Sequence, residues 1–305
     1  METGTEVQAH INTLHQAVWE LAAIATALGG AGPTDPGQRR AAEDVLVETG
    51  LMVPSADGPQ PCTGLIEVTG GNPIGVASQA STAILQSAAV LSGAKMWTTQ
   101  DDAAIVAQGR ASAQGARPFK MFGLPMMAGL GEVMSGPSPV MLDVGVGVAA
   151  LAVAYCEAFP TLRVVGIDVF PRALELARTT VDQAGMTGRI ELRHQDVADL
   201  EDLDTFCLGW LPAPFVPRPA LEIGLPRMVA ALIPGGWIMV GHGKFDENGR
   251  SNALTRFQTV AFGGTAINNS EAEELLRGAG LELVATLPTP EGAPAITVGR
   301  RPLTV

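Results

Sequence analysis

The residues of this chain best suited to chemistry are three carboxylates, each close behind a short apolar run. They are Asp143 in VMLDVGVGVA (140–149), Asp168 in LRVVGID (162–168) and Asp196 in ELRHQD (191–196). Such runs read as buried parallel strands, and parallel strands that each deliver a carboxylate to the carboxyl edge of one sheet converge on one crevice. Gly145 and Gly147 follow Asp143 closely and predict a tight turn where backbone approaches a ligand. Gly145-x-Gly147-x-x-Ala150 also satisfies the dinucleotide pattern. A pyrophosphate at that turn would meet the like charge of Asp143, whereas a ligand carrying positive charge would be attracted. Asp168, at the end of the second strand, suits the ribose hydroxyls of an adenosine ligand of either kind.

The elements that must position these groups follow in order. A helix is expected over 148–159, a second over 171–183 and a third over 221–232 despite Pro226. Strands are expected at 189–193, 205–210 and after the turn Pro234-Gly-Gly236, and two final strands at 281–285 and 295–298 form a hairpin.

The stretch from Asp143 to Ala149 resembles the first motif, D/E-x-G-x-G-x-G, of class I S-adenosylmethionine-dependent methyltransferases, with Ala149 at the third glycine. S-adenosylmethionine offers an ammonium and a sulfonium and no phosphate at the turn. The Pro-Gly-Gly turn is a second shared feature, and the resemblance covers about residues 136–301. It implies an α/β fold with a Rossmann-like seven-stranded sheet. It also implies a cofactor pocket made by Asp143, Gly145, Gly147, Asp168, Val169, Gln195, Asp196, Val197 and Trp210, with Asp196 on the adenine amino group.

The segment LPAPF (211–215) lies where the methyl group would emerge, and Phe119 to Met127, Trp210, Phe215 and the 243–269 excursion are expected to wall an apolar acceptor site. LPAPF resembles the Asn/Asp-Pro-Pro-Tyr/Phe motif of amino-group methyltransferases but lacks the leading amide or acid, which points away from nucleobase methylation. In plant-type O-methyltransferases a His after strand four is the general base, and none stands here. His242 in VGHGK (240–244) is the remaining candidate, with a structural bond to a loop carbonyl as the alternative. Two other function classes stay open. One is an NAD-dependent oxidoreductase, disfavoured by Asp143 and the Pro-Gly-Gly turn. The other is an enzyme that uses the bound sulfonium for a non-methylating rearrangement.

Residues 1–115 read as a separate, mainly helical domain before a cofactor-binding domain at 116–305. Helices are expected at 6–28, 38–48, 74–91 and 101–113, with a small wing made by 51–53 and a strand at 65–68, the order of a winged helix. Residues 1–110 hold four basic side chains (Arg39, Arg40, Lys95, Arg110) against eleven acidic ones, the wrong balance for DNA. Dimerisation is the expected role of this domain, making the protein a homodimer. The net charge of −12 disfavours nucleic acid and anionic membrane as partners, leaving a small organic acceptor. No apolar run is expected to cross a membrane, and the start of the chain lacks the basic and apolar regions of a secretory signal. Three dispersed cysteines (Cys62, Cys156, Cys207), with no metal-ligand spacing to any His, fit reduced thiols in the cytoplasm and no metal site.

Overall fold

The chain divides into two compact units, residues 1–93 with 101–111, and residues 94–100 with 112–305. The computed structural model describes residues 3–29, 35–69, 73–91, 102–245, 247, 249–289 and 293–303.

In the first unit, α1 (Gly4–Leu28) opens with a reciprocal capping box between Thr3 and Glu6. Helix α2 (Pro36–Glu48) is capped by Asp35, which accepts from the N–H groups of Gly37 and Gln38. A two-stranded hairpin follows, β1 (Met52–Val53) with β2 (Gln60–Pro61). The strand expected at 65–68 is instead helical, α3 (Thr63–Val68), started by Cys62, whose Sγ accepts from the Leu65 N–H. Only Leu65 of this segment is buried, and Val68 is 81% exposed, so no strand-like face is available to a sheet. Helix α4 (Ile74–Leu91) packs on α1, and α5 (Asp102–Ala113) completes the unit. Leu46, Ala23, Ala27, Met52 and Ala77 form its small core.

One helix bears on the expectation about membranes. Helix α4, 18 residues with mean hydropathy 1.3, is long and apolar enough to cross one by length and composition. Its packing is that of a helix among helices: the Ser78 and Thr82 hydroxyls bond back one turn, and buried Gln86 donates to Gln108 of α5 at 2.8 Å.

The second unit begins with α6 (Ala116–Pro118), a π-turn (Phe119–Gly123), a 3₁₀ turn (Leu124–Met126) and α7 (Leu130–Met134). Then β3 (Val140–Val144), α8 (Ala150–Ala158), β4 (Arg163–Asp168), α9 (Pro171–Gln183) and β5 (Ile190–His194) alternate. They are followed by β6 (Phe206–Pro212), α10 (Arg218–Ala231), β7 (Leu232–His242), α11 (Gly249–Ala261), α12 (Asn269–Gly278), β8 (Glu282–Leu287) and β9 (Ala295–Arg300). The strand order is β5-β4-β3-β6-β7-β9-β8, parallel except for β9, which is antiparallel to both neighbours. This is the expected seven-stranded sheet and terminal hairpin.

Each face of the sheet has its own core. Met141, Val164, Trp237 and Met239 pack under α6 to α9, while Leu142, Val165, Ile238 and Val240 pack under α10 and α12. Pro234-Gly-Gly236 lies within β7, where the pairing slips between Phe206 and Leu208 and Gly235 has φ +80°. The chain leaves β3 toward β4 and β5, then returns to β6 on its other side. The crevice above β3 and β6 is therefore the topological switch point where ligands bind in open α/β sheets.

Candidate functional site

Backbone conformation shapes the turn after β3. Gly145 (φ +67°), Gly147 (φ +55°) and Ala149 (φ +61°) all adopt the left-handed region, in alternation. Ala149 pays roughly 1–2 kcal/mol for a conformation that glycine adopts freely, and it is fully buried at the start of α8. The N–H groups of Gly145 and Val146 both donate to the Ile167 carbonyl, at 2.9 and 3.0 Å. Val146 can lie across β4 only because residue 166 is glycine: a Cβ there would stand 2.5 Å from Val146 Cγ2.

Asp168 ties this turn to the end of β4. Its Oδ2 accepts from the Gly147 N–H and its Oδ1 from the Phe170 N–H, each at 2.9 Å. Burial pushes its carboxyl above the usual range, partly offset by these bonds. Each oxygen keeps a second lone pair, so ribose hydroxyls could be held as well.

Asp143 is the unusual group. It is 1% exposed, and its Oδ2 is buried with no hydrogen-bond partner. Burial, and secondarily the charge of Asp168, raises its carboxyl to about 7. A buried carboxylate oxygen without a donor is unfavourable, and a ligand ammonium would relieve it. Asp143 stands opposite Trp210 in the β3–β6 pairing. The Trp210 indole lies over Gly241 of β7, where a Cβ would come within 2.3 Å of the ring.

At the end of β5, the Gln195 N–H donates to the Asp168 carbonyl at 3.0 Å, and the Asp196 Oδ1 accepts from the Ala198 N–H at 2.8 Å. His194 Nε2 lies 3.1 Å from the carbonyl oxygen of exposed Val169. Asp143, Gly145, Gly147, Asp168, Val169, Gln195, Asp196 and Trp210 thus gather at the carboxyl ends of β3 to β6. The Val197 side chain does not join them: it is 4% exposed and packs against Gly224 of α10 in the core.

His242 takes the second of its two expected roles, a structural bond to a loop carbonyl. Along β7 it shares its side with Ile238 and Val240, the face under α10 and α12. Trp210 packs with the opposite core, and burial with Asp143 nearby raises the phenol of α8 Tyr155, which places Asp143 on that opposite face too. The ring is fully buried, and both nitrogens are engaged, Nδ1 at 3.0 Å from the Gly243 carbonyl and Nε2 at 2.8 Å from Thr297 Oγ1. Burial depresses its basicity. Behind the sheet, the ring cannot act as base on a group beside the Asp143 turn.

The loop after β6, where the sequence places the acceptor side, rests on residues whose importance only contacts reveal. Gly264 lies against the loop after β6, where a Cβ would stand 1.9 Å from the Pro214 carbonyl oxygen. Thr265 N–H donates to Ala213 O and Thr265 Oγ1 donates to Val216 O, each at 2.8 Å. The rings of Phe215 and Phe262 pack 5.0 Å apart. Of the 119–127 stretch, Phe119 and Met127 are core, while Met121, Phe122 and Met126 are exposed.

Residues 141–236 match the family model described as a methyltransferase domain. The chain is 30% identical over 112 residues to the release factor glutamine methyltransferase of Rhodopirellula baltica, covering 36% of this chain and 38% of that protein. It is 29% identical over 128 residues to that of Vibrio cholerae, covering 34% and 45%. The chain therefore spans less than half the length of these curated relatives. It superposes along its whole length on the whole of an O-methyltransferase family protein from Burkholderia thailandensis (TM-score 0.64, 16% identity). The mitomycin 7-O-methyltransferase (TM-score 0.58, 21% identity, 97% and 98% covered) shares the fold. So does human N-acetylserotonin methyltransferase (0.59, 15%, 99% of each chain).

Proposed function

We propose that this chain, whose residues 141–236 match a methyltransferase domain and whose sheet shares the fold of solved methyltransferases, transfers a methyl group from S-adenosylmethionine to a small, largely apolar organic acceptor. The observation that carries this reading is the unpartnered, buried Asp143 Oδ2 beside a glycine turn. It calls for a cationic donor and rejects the pyrophosphate of NAD. When bound, the cofactor supplies an electrophilic methyl group on its sulfonium. Asp143 would hold the ammonium, Asp168 the ribose hydroxyls and Asp196 the adenine amino group, and Trp210 would offer an aromatic face to the sulfonium. Between Phe206 and Val216 there is no His, Asp, Glu, Lys or Tyr. These residues therefore serve by aligning the acceptor and excluding water, with no proton taken by a side chain of that segment. The sequence relatives methylate glutamine, but here buried Leu211 stands where an amide would be sought, and the surrounding Pro, Phe and Trp favour an apolar small molecule. Incubation with S-adenosylmethionine and candidate phenols, alcohols and amines should give a product heavier by one methylene unit. A product of unchanged mass would favour the non-methylating reading.

The Asp143 carboxyl gives a pH prediction. Its folded-state value of about 7 lies above the unfolded value of about 3.9. The folded chain thus holds that proton more tightly, and stability falls as pH rises between the two values. The raised Asp168 acts in the same direction. The ligand-free protein should lose Tm from pH 5 to 7. Asp143→Asn should flatten that slope and raise Tm at pH 8, and an unaltered slope would show that Asp143 is ionised throughout.

The proposed assembly is a cytoplasmic homodimer. On α1, Val7, Ile11, Leu14 and Val18 recur at helical spacing and are each about 40–50% exposed, an apolar stripe that a second copy would cover. Cys62, Cys156 and Cys207 are free thiols, as a reducing compartment allows. Light scattering should give twice 31.5 kDa, and Ile11→Glu with Val18→Glu should halve it. Wild-type protein at 31.5 kDa across micromolar concentrations would refute the dimer.

A further inference from the structure

His242 has no place at the methyl group, and its contacts give it another role. Its Nδ1 lies against the Gly243 carbonyl, and the Ile267 carbonyl also faces the ring. Gly243 leaves β7 and Ile267 leads into α12, so the ring touches both ends of the excursion that contains α11. From that excursion Thr265 binds Ala213 and Val216 and thereby fixes the loop after β6. On its other side Nε2 meets Thr297 Oγ1 at 2.8 Å, Thr297 meets Thr286 Oγ1 at 2.9 Å, and Thr286 donates to Glu273 Oε1 at 3.1 Å. Side chains from β7, β9, β8 and α12 thus form one row from the interior to a surface carboxylate, which Arg277 pairs at 2.8 Å.

We propose that His242 is a positioning residue: as the Nδ1–H tautomer it clasps the 243–267 excursion onto the acceptor-side loop, and the row through Thr297, Thr286 and Glu273 governs the state of its other nitrogen. The proposed function enters only in what that loop borders; the clasp stands without it.

The hydrogens can be counted. A carbonyl oxygen only accepts, so Nδ1 must carry a hydrogen. Burial disfavours a charged ring, which leaves Nε2 bare and Thr297 donating to it. Thr286 then has one hydrogen and two acceptors, Thr297 and Glu273. With a neutral ring the row is one hydrogen short. A proton on Nε2 completes it by reversal: Nε2–H donates to Thr297, Thr297 to Thr286 and Thr286 to Glu273. The groups that meet the ring directly, Gly243, Ile267 and Thr297, are uncharged; Glu273, with Arg277 beside it, stands at the far end.

The test uses ¹⁵N-labelled full-length protein without cofactor, so its outcome is separable from that of the methyltransferase reading. At pH 7.5 the His242 ring should show the neutral Nδ1–H pattern, the minor tautomer of free histidine; an Nε2–H pattern overturns the proposal. His242→Ala should speed exchange of the Thr265 amide roughly tenfold. His242→Asn, whose amide nitrogen can take the place of Nδ1, should restore slow exchange. Unchanged exchange in His242→Ala overturns the clasp, and if that variant fails to fold the wild-type tautomer still decides. Thr286→Val should lower the pH at which His242 takes a proton, and an unmoved midpoint overturns the row.

Discussion

Asp168→Ala is expected to lower affinity for S-adenosylmethionine by roughly 10²-fold or more, the largest effect on the cofactor of any single substitution in the site. Its carboxylate would hold the ribose hydroxyls, and hydrogen bonds to a charged acceptor are worth about 1.5–3 kcal/mol each. It also fastens the glycine turn through the Gly147 N–H and the next segment through the Phe170 N–H. Truncation therefore removes ligand contacts and loosens the backbone that approaches the ligand. Asp168→Asn should lose less, since one oxygen still accepts while the amide nitrogen cannot. Calorimetry on each variant, with Tm measured alongside, separates lost binding from lost folding. Affinity unchanged in Asp168→Ala would remove Asp168 from the pocket.

Gly264→Ala should do the opposite: ruin turnover and spare the cofactor. The added methyl would meet Pro214 O at 1.9 Å and Phe215 N at 2.6 Å, and these are backbone atoms that no rotamer change can move aside. The excursion must lift, losing both Thr265 hydrogen bonds and the Phe215–Phe262 packing. Overpacking together with those bonds amounts to about 2–4 kcal/mol of stability. A misplacement of about 1 Å at the acceptor edge can lower turnover on the order of 10²-fold. Asp143, Asp168 and the glycine turn are untouched, so S-adenosylmethionine affinity should hold. Unaltered Tm and turnover would show that the excursion does not need to dock.

The strand-end placement of the three carboxylates was legible in the chain because local pattern decides it. Apolar runs become buried parallel strands, and Asp143, Asp168 and Asp196 come at or just beyond their carboxyl ends in sequence order. The packing around the loop after β6 was not, because it depends on pairs distant in sequence. Nothing near Gly264 announces that Pro214 will lie on it, and nothing near Gly166 announces Val146. For His242 the chain left two roles open, base or structural bond, for a reason intrinsic to strands. Its distance along the chain from the turn is plain, but which face it takes depends on alternation through a strand that begins with an irregular Pro-Gly-Gly step. Val197, one position from Asp196, begins a 3₁₀ turn that points its side chain into the core. At 65–68 an apolar run was too short for its type to be read, and a cap at Cys62 made it helical.

Whether the turn after β3 takes S-adenosylmethionine is decided most directly by calorimetric titration of the wild-type chain with that cofactor and, separately, with NAD. The expected result is saturable binding of S-adenosylmethionine at one site per chain and no heat with NAD, because the buried Asp143 carboxylate favours an ammonium and opposes a pyrophosphate. Tight binding of NAD with none of S-adenosylmethionine would contradict it.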